Sequence, residues 1–164
     1  MASKADRAGT IRGNATRPPS IDAGDVDYGL LAELTGFSLK LVWILGRNLL
    51  AREFEEYGVT PHRFSVLEVI GRNPGLQQGQ LAAALALSRP ATTLAIDFWE
   101  ERGCVERRDT PGDRRSFGVF PTRRGEEELA RLRAKVREAD AELTSGLTEP
   151  EIAELRRLLR KIHR

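Results

Sequence analysis

The stretch LALSRPATTLAIDFW, residues 85–99, decides the fold of this chain. Ser88 is a favourable N-cap because its hydroxyl oxygen can accept a hydrogen bond from a free backbone N–H of the first helical turn. Pro90 is tolerated in that turn, where its missing N–H would have no helical acceptor. Residues suited to burial then recur at intervals of three and four, namely Thr92, Ala95, Ile96 and Trp99. The stretch therefore predicts a tight turn followed by a capped helix with one buried face.

A short helix is predicted before this turn, and the capped helix has an outer face opposite its buried one. Residues 78–86 are rich in alanine, with Leu81 and Leu85 one helical turn apart. The outer face of the capped helix carries Arg89, Ala91, Thr93, Leu94 and Asp97. A short helix, a turn and a second helix of this kind form a helix-turn-helix, whose second helix lies in the major groove of DNA.

A β-hairpin is predicted directly after the capped helix, which Gly103 ends. Residues 104–108 indicate a short strand, residues 110–113 have turn chemistry, and residues 116–120 indicate the returning strand, with the tip near 112–115. From residue 107 to residue 124 the chain has six arginines against two aspartates, an excess of four positive charges. The hairpin is thus predicted to be a basic wing that meets the phosphate backbone.

Two longer helical regions flank this winged segment. Region 28–57 has apolar residues at helical spacing on more than one stripe and predicts a single helix that Gly58 ends. Thr60 and Pro61 predict the N-cap and first residue of the next helix. The surplus apolar surface of the first helix needs a cover, and a partner subunit is the simplest one.

The chain after the hairpin predicts two more helices. Pro121-Thr122 opens the first, in which apolar residues follow at helical spacing until Gly146. Thr148 and Glu151 form a capping box for the second, whose apolar stripe consists of Ile152, Leu155, Leu158, Leu159 and Ile162. This stripe is predicted to pack across a two-fold axis in a homodimer.

Composition excludes several classes of protein. Cys104 is the one cysteine, so an intramolecular disulfide and a cysteine-built metal cage are excluded. His62 and His163 are too few and too far apart to argue for a metal. Gly-x-Gly-x-x-Gly, P-loop, His-Glu-x-x-His and Gly-x-Ser-x-Gly motifs do not occur, so the sequence predicts neither an enzyme nor a cofactor.

The cellular location of the protein and the nature of its N-terminal residues are also predicted from the distribution of apolar residues. No run approaches the roughly 18 apolar residues of a membrane helix, and the N-terminus lacks the apolar core of a secretory signal, so we expect a cytoplasmic protein. Residues 1–27 offer no periodic apolar face and are predicted to be a mobile tail. The formal net charge of +2 permits a nucleic-acid partner without deciding it.

A longer set of residues resembles the multiple-antibiotic-resistance regulator (MarR) family of winged helix-turn-helix proteins. It comprises Leu81-Ala82, the run from Leu85 to Thr93, Ile96-Asp97, Glu100, Arg102-Gly103, Val105-Glu106-Arg107, Asp113-Arg114-Arg115, Thr122 and Gly125. The Asp-Arg-Arg wing motif, about ten residues after the start of the Gly-x-Val-x-Arg strand, is the most specific part. The resemblance extends from about Tyr28 to the C-terminus.

The resemblance implies a mainly α fold of the α+β class, with a two-stranded wing. The winged lobe would span residues 60–120, and residues 28–57 and 122–164 would form a helical dimerisation region within one domain, 28–164. It also implies a transcription regulator, typically a ligand-responsive repressor, that binds a pseudo-palindromic DNA operator as a homodimer. Small aromatic or phenolic effectors would bind between the dimerisation region and the winged lobe.

Specific residues are candidates for these roles. The expected DNA contacts are Ser88, Arg89, Pro90, Ala91, Thr93 and Leu94 on the capped helix and Arg114 and Arg115 on the wing, with Arg89 the natural reader of guanine. Trp43, Phe37 and Phe64 could line an effector pocket, although each is more often ordinary core. Cys104 could be an oxidant sensor or a small packed hydrophobic residue.

The sequence departs from the family pattern at a few positions and leaves other functions open. Leu94 and Phe98 stand at outward helix positions where the family often has polar or basic groups, which puts the base-reading code in question. Pro121 replaces a leucine at the junction of wing and helix. The alternatives are a helical dimerisation or scaffold protein, and a degenerate relative that does not bind DNA.

Overall fold

The computed structural model describes residues 25–110 and 113–162, and it gives the backbone alone for 110 and 113–116. Most of the predicted tail and His163 therefore lie outside the described residues. The helices are α1 (Thr35–Phe54), α2 (Pro61–Arg72), α3 (Gln78–Ala84), α4 (Arg89–Glu101), α5 (Arg123–Leu143) and α6 (Glu149–Ile162). The strands are β1 (Leu76–Gln77), β2 (Val105–Thr110) and β3 (Asp113–Pro121). A mainly helical fold with a small antiparallel sheet is thus confirmed.

The predicted single helix over 28–57 is wrong in detail, because the segment is divided into three. A 3-10 helix, Gly29–Glu33, comes first, and a second one, Glu55–Tyr57, follows α1. Leu34 separates the first from α1 because its backbone is extended, with φ −91° and ψ 119°. Gly58 ends the segment as predicted, in the left-handed conformation with φ 60°.

The helix-turn-helix forms as predicted from residues 85–99. The Ser88 hydroxyl accepts a hydrogen bond from the Ala91 N–H at 3.3 Å and caps α4. All four residues of the predicted inner face are buried, namely Thr92, Ala95, Ile96 and Trp99. Ala86 turns the chain between α3 and α4 at φ 50°, and the Leu87 N–H donates to the Ala82 carbonyl at 2.9 Å. An alanine thus occupies the left-handed position that glycine usually takes in such a helix end.

The sheet has three strands rather than the two predicted. β2 and β3 form the expected hairpin, and β1 pairs with β3 so that Leu76 lies opposite Val119. Leu76–Gln77 could not be predicted as a strand, because two residues are too few to show a period of two. Gly118 allows the close approach, since a Cβ there would lie 2.7 Å from the Gly75 carbonyl oxygen.

The junction of wing and α5 keeps its hydrogen bonds despite Pro121. Pro121 ends β3 opposite Val105. Thr122 is the N-cap of α5: its hydroxyl accepts from the Gly125 N–H at 3.1 Å and donates to the Gly103 carbonyl at 2.6 Å. The start of α5 is therefore fixed against the start of β2.

The core lies between α2, α4, α5 and the sheet, and α1 packs along α5. Trp99 is fully buried and donates its indole N–H to the Arg63 carbonyl at 2.7 Å, so α4 is bound to α2 by packing and by a hydrogen bond. Among the described helices, none is long and apolar enough to cross a membrane.

The capping box of α6 is confirmed on its glutamate side. Glu151 accepts a hydrogen bond from the Thr148 N–H at 2.7 Å. No residue of α6 is buried, and Leu155, Leu158 and Ile162 are 38%, 44% and 64% exposed. The apolar stripe of α6 is thus uncovered within one chain.

Candidate DNA-binding site

The outer half of α4 brings the predicted DNA-contacting residues of the helix together at one surface. Ser88, Arg89, Pro90 and Ala91 are exposed, Thr93 is half-buried and Leu94 is 68% exposed. Because the opposite side of α4 is locked into the core, this surface has a fixed orientation. Among the described residues, Arg89 forms no ion pair, so its guanidinium is available to an external acceptor.

Gln78 supports this surface and was missed from the sequence. Its side-chain amide donates to the Thr93 hydroxyl and lies 3.4 Å from the Arg89 carbonyl oxygen. The Thr93 hydroxyl in turn donates to that carbonyl at 3.0 Å. Thr93 is therefore held by α3 and by its own helix, and no local pattern could reveal a pair 15 residues apart.

The wing is attached to α4 by Arg107. Its guanidinium donates to the carboxylates of Asp97 and Glu100 and lies 5.4 Å from the Phe117 ring centre. On β2 the next arginine, Arg108, bonds Glu106 and stacks 4.6 Å from the Phe120 ring. Arg107 and Arg108, which are among the six arginines counted from the sequence, are thus balanced by carboxylates of the chain itself, as Arg123 is by Glu127. Arg107 fixes the hairpin relative to α4, whereas the contacts of Arg108 lie within the hairpin.

Arg114 and Arg115 belong to the part of β3 whose backbone alone is described. The backbone places both in the first residues of β3, next to the tip of the hairpin. The prediction that their side chains contact DNA lies outside the described residues.

Phe98 does not lie on the outer surface, and the sequence prediction for it is wrong. It is 8% exposed, because the guanidinium groups of Arg63 and Arg102 lie 3.7 and 3.6 Å from its ring centre. It also meets Trp99 edge-on, with ring centres 4.9 Å apart. Leu94 is therefore the one large apolar residue of α4 that is exposed.

A cleft of about 440 Å³ lies between α1, α2 and the turn before α4. Its lining is largely apolar and includes Trp43, Leu50, Leu85 and Leu87. Arg47 and His62 add polar groups at the wall, and the Arg47 guanidinium lies 5.2 Å from the Trp43 ring centre. Neither residue could be assigned to a pocket from the sequence, because each is a single polar residue within a helical pattern.

The three aromatic residues predicted for an effector pocket do not line the same cleft. Trp43 lines the cleft, whereas Phe37 packs against Tyr28 with ring centres 5.2 Å apart. Phe64 packs against Phe54 at 5.6 Å, outside the lining of the cleft. The three residues stand on different faces of α1 and α2, so helical spacing alone could not group them.

Cys104 is a packed residue at the start of β2. It is 2% exposed, and burial raises the pKa of its thiol. A raised pKa lowers the thiolate fraction, which is the reactive form. Within residues 25–110 and 113–162, no group of three or more His, Cys, Asp or Glu side chains is placed to hold a metal.

Known proteins of similar sequence and structure point to one family. Residues 57–116 match the MarR family. One relative is a Thauera aromatica protein named as a transcriptional regulatory protein for the hcr operon. It is 31% identical to this chain over 94% of this chain and 93% of its own length.

Solved structures give the same result. The transcriptional repressor CouR, bound to a 23-mer DNA duplex, has a TM-score of 0.79 at 31% identity, covering 86% of this chain and all of that one. A MarR family protein of Mycobacterium tuberculosis in complex with salicylic acid has a TM-score of 0.67 at 29% identity, covering 79% of this chain and 96% of that one.

Proposed function

This chain belongs to the MarR family of transcription regulators, and from that premise we propose that it represses transcription as a homodimer on a pseudo-palindromic DNA operator. The observation that carries the proposal is the outer half of α4, which exposes Arg89, Pro90, Ala91 and Leu94 from a helix whose other side is buried. A helix held this way can enter the major groove without rearranging the core. The repressor CouR, whose structure is similar to that of this chain, was solved bound to a DNA duplex.

We assign DNA binding and dimerisation to different parts of the chain. Residues 60–120 form the lobe that reads DNA, and residues 28–57 and 122–164 form the dimerisation region. The uncovered apolar side chains on and before α1 and on α6 support this division, among them Leu30, Leu39, Leu155 and Ile162. Their burial against a second copy would remove apolar surface from water. We place this activity in the cytoplasm, and we assign the chain no catalytic activity, as regulators of this family are generally not enzymes.

Roles for single residues complete the proposal. Arg89 reads a base edge, because its guanidinium can donate to the O6 and N7 acceptors of guanine. Ser88, Pro90, Ala91 and Thr93 complete the surface that enters the groove. Arg114 and Arg115 on the wing bind phosphates or enter the minor groove. Arginine side chains make both types of contact with DNA.

Site selection tests the proposal. The full-length chain is incubated with a pool of random 30-base-pair duplexes, and the bound fraction is amplified and sequenced. We expect an inverted repeat with half-sites about one helical turn apart, and an affinity that falls steeply as salt rises because bound phosphates release counterions. A pool that stays random after repeated rounds, or binding insensitive to salt, would refute the DNA-binding proposal.

The cleft is the proposed effector site, and a small aromatic anion is the ligand class. Apolar walls suit a ring, and Arg47 beside Trp43 suits an acidic group. Leu85 and Leu87 line the same cleft one turn before α4, so a bound ligand would contact the segment that orients the reading helix. A relative in this family has been crystallised with salicylic acid.

Tryptophan fluorescence tests the effector proposal with salicylate as the probe. The chain has two tryptophans, Trp43 in the cleft and the fully buried Trp99. We expect salicylate to quench the wild type and to release it from the selected duplex, and to leave the emission of the Trp43→Phe variant unchanged. Equal quenching of both proteins would place the ligand elsewhere.

A further inference from the structure

Leu94 is the last residue of the surface that α4 offers to DNA, and it is 68% exposed. A single exposed leucine on an ordinary surface needs no explanation. Leu94 differs because its helix is fixed by the buried residues Thr92 and Ile96 on the opposite side, so the side chain cannot turn inward. Whatever occupies the groove-facing side of α4 must contact this leucine.

The neighbours of Leu94 make the surface around it apolar. Pro90 lies one turn before it on the same side, and Ala91 lies three residues before it; both are exposed. Asp97, one turn after it, is bonded to Arg107, and Thr93 beside it is bonded to Gln78. Hydrogen-bonding groups next to Leu94 are therefore already engaged within the chain, while Arg89 at the start of the helix is not in any ion pair of the described residues.

An apolar side chain in the major groove has one favourable type of contact. Base edges there present hydrogen-bond donors, acceptors and a single apolar group, the C5-methyl of thymine. A leucine placed against a donor or acceptor would remove water from it without replacing the hydrogen bond, which is unfavourable. A leucine placed against a methyl group removes apolar surface of both from water.

We infer that Leu94 is a specificity-determining residue that reads the C5-methyl group of a thymine in each half-site, with Pro90 and Ala91 extending the apolar contact. The inference rests on the proposed function and names the base chemistry that α4 recognises. Arg89 and Leu94 then read different groups: the guanidinium reads acceptors of guanine, and the leucine, five residues further along α4, reads thymine.

Replacement of thymine by 2′-deoxyuridine isolates the methyl group. The substitution keeps every base-pair hydrogen bond and removes one methyl. The test uses the duplex selected by the full-length wild-type chain, with each thymine of the half-sites replaced in turn, symmetrically in both halves, and binding followed by fluorescence anisotropy. For one position per half-site we expect the wild type to lose about fourfold in affinity per methyl, roughly fifteenfold for the symmetric pair, the size expected for one buried methyl group.

Matched variants assign the effect to the side chain. Leu94→Ala should bind the thymine and deoxyuridine duplexes within a factor of two of each other, whereas Arg89→Ala should bind both more weakly and keep the roughly fifteenfold difference. Because Leu94 is mostly exposed, its replacement should leave the thermal midpoint unchanged, and a melting curve verifies that the variant is folded.

The outcomes separate this inference from the function on which it rests. A selected site whose deoxyuridine forms all bind the wild type equally would overturn the role of Leu94 and leave the repressor proposal standing. The same holds for a deoxyuridine penalty that persists in Leu94→Ala. A chain that selects no duplex at all would overturn both.

Discussion

Gly125 shows how a single position connects α5 to the winged lobe. A Cβ at this residue would lie 1.9 Å from the Cys104 carbonyl oxygen, a backbone atom that no side-chain rotation can move. The absence of a side chain lets the first turn of α5 approach β2 this closely, beside the hydrogen bond from the Thr122 N–H to the same carbonyl at 3.0 Å.

Gly125→Ala should therefore destabilise the chain by about 2–3 kcal/mol or more, because the backbone must move apart and strain the junction. Gly79→Ala is the matched control, since a Cβ there has nothing within 4 Å, and alanine favours the helix. Urea unfolding at one fixed chain concentration measures both. Equal stability of Gly125→Ala and the wild type would contradict the packing at this junction.

Arg89 and the arginines of the wing should differ in what they contribute to DNA binding. Arg89→Ala should cost about 1–3 kcal/mol at the cognate base and relax sequence preference there. Arg114→Ala with Arg115→Ala should weaken all sequences more evenly and flatten the salt dependence, because phosphate contacts carry no sequence information. Anisotropy on the selected duplex and on a scrambled one compares the two effects. Variants that lose only thermal stability would show that these arginines are structural.

The contact between α2 and α5 includes a two-pronged ion pair that makes stability depend on pH. Arg133 donates to both oxygens of Glu68, at 2.7 and 3.1 Å, and each side chain is about 30% exposed. These hydrogen bonds hold the pKa of the Glu68 carboxyl below its ordinary value of 4.5. A carboxyl whose folded pKa is lowered stabilises the fold fully above its unfolded pKa, and that stabilisation is lost as pH falls through the folded value.

Glu68→Gln should thus lower stability by about 1 kcal/mol at pH 7, a shift of roughly 2–4 °C in the thermal midpoint. The difference from the wild type should close as pH falls from 5 to 3. Glu127→Gln is the control, because that carboxylate is 65% exposed and pairs with Arg123 on its own helix. Calorimetric scans across this pH range measure the two thermal midpoints. A difference between Glu68→Gln and the wild type that stayed constant with pH would contradict the stabilising role of this ion pair.

Elements defined by local signals could be predicted from the sequence, and those defined by long-range contacts could not. The cap at Ser88, the buried face of α4 and the hairpin depend on residues a few positions apart, and all three formed. β1 exists only because Val119 and Gly118 lie beside it. Phe98 is covered by Arg63, which is 35 positions away in the chain, and Gln78 reaches Thr93 across the turn. Helical periodicity carries no information about such partners.

The apolar stripe of α6 concerns the assembly of the whole molecule, because no residue of α6 is buried within one chain. Leu155→Glu together with Leu159→Glu would place charge in the proposed dimer interface, where an unpaired carboxylate is strongly unfavourable. We expect an unstable, aggregating or monomeric chain that no longer binds its duplex. Ala153→Glu, on the opposite side of α6, should leave assembly and binding unchanged. Sedimentation at micromolar concentration checks this: a stable wild-type monomer, or a double variant that keeps full affinity, would contradict the dimer.

The spacing of the two half-sites tests the central claim most directly, since a rigid homodimer with one reading helix per subunit must meet both on the same side of the DNA. The measurement compares the affinity of the full-length chain for the selected duplex with that for the same duplex carrying five extra base pairs between the half-sites, about half a helical turn. The account predicts a loss of at least about a hundredfold, because only one α4 can then enter its major groove. Equal affinity for the two duplexes would show that the chain does not bind DNA as this dimer.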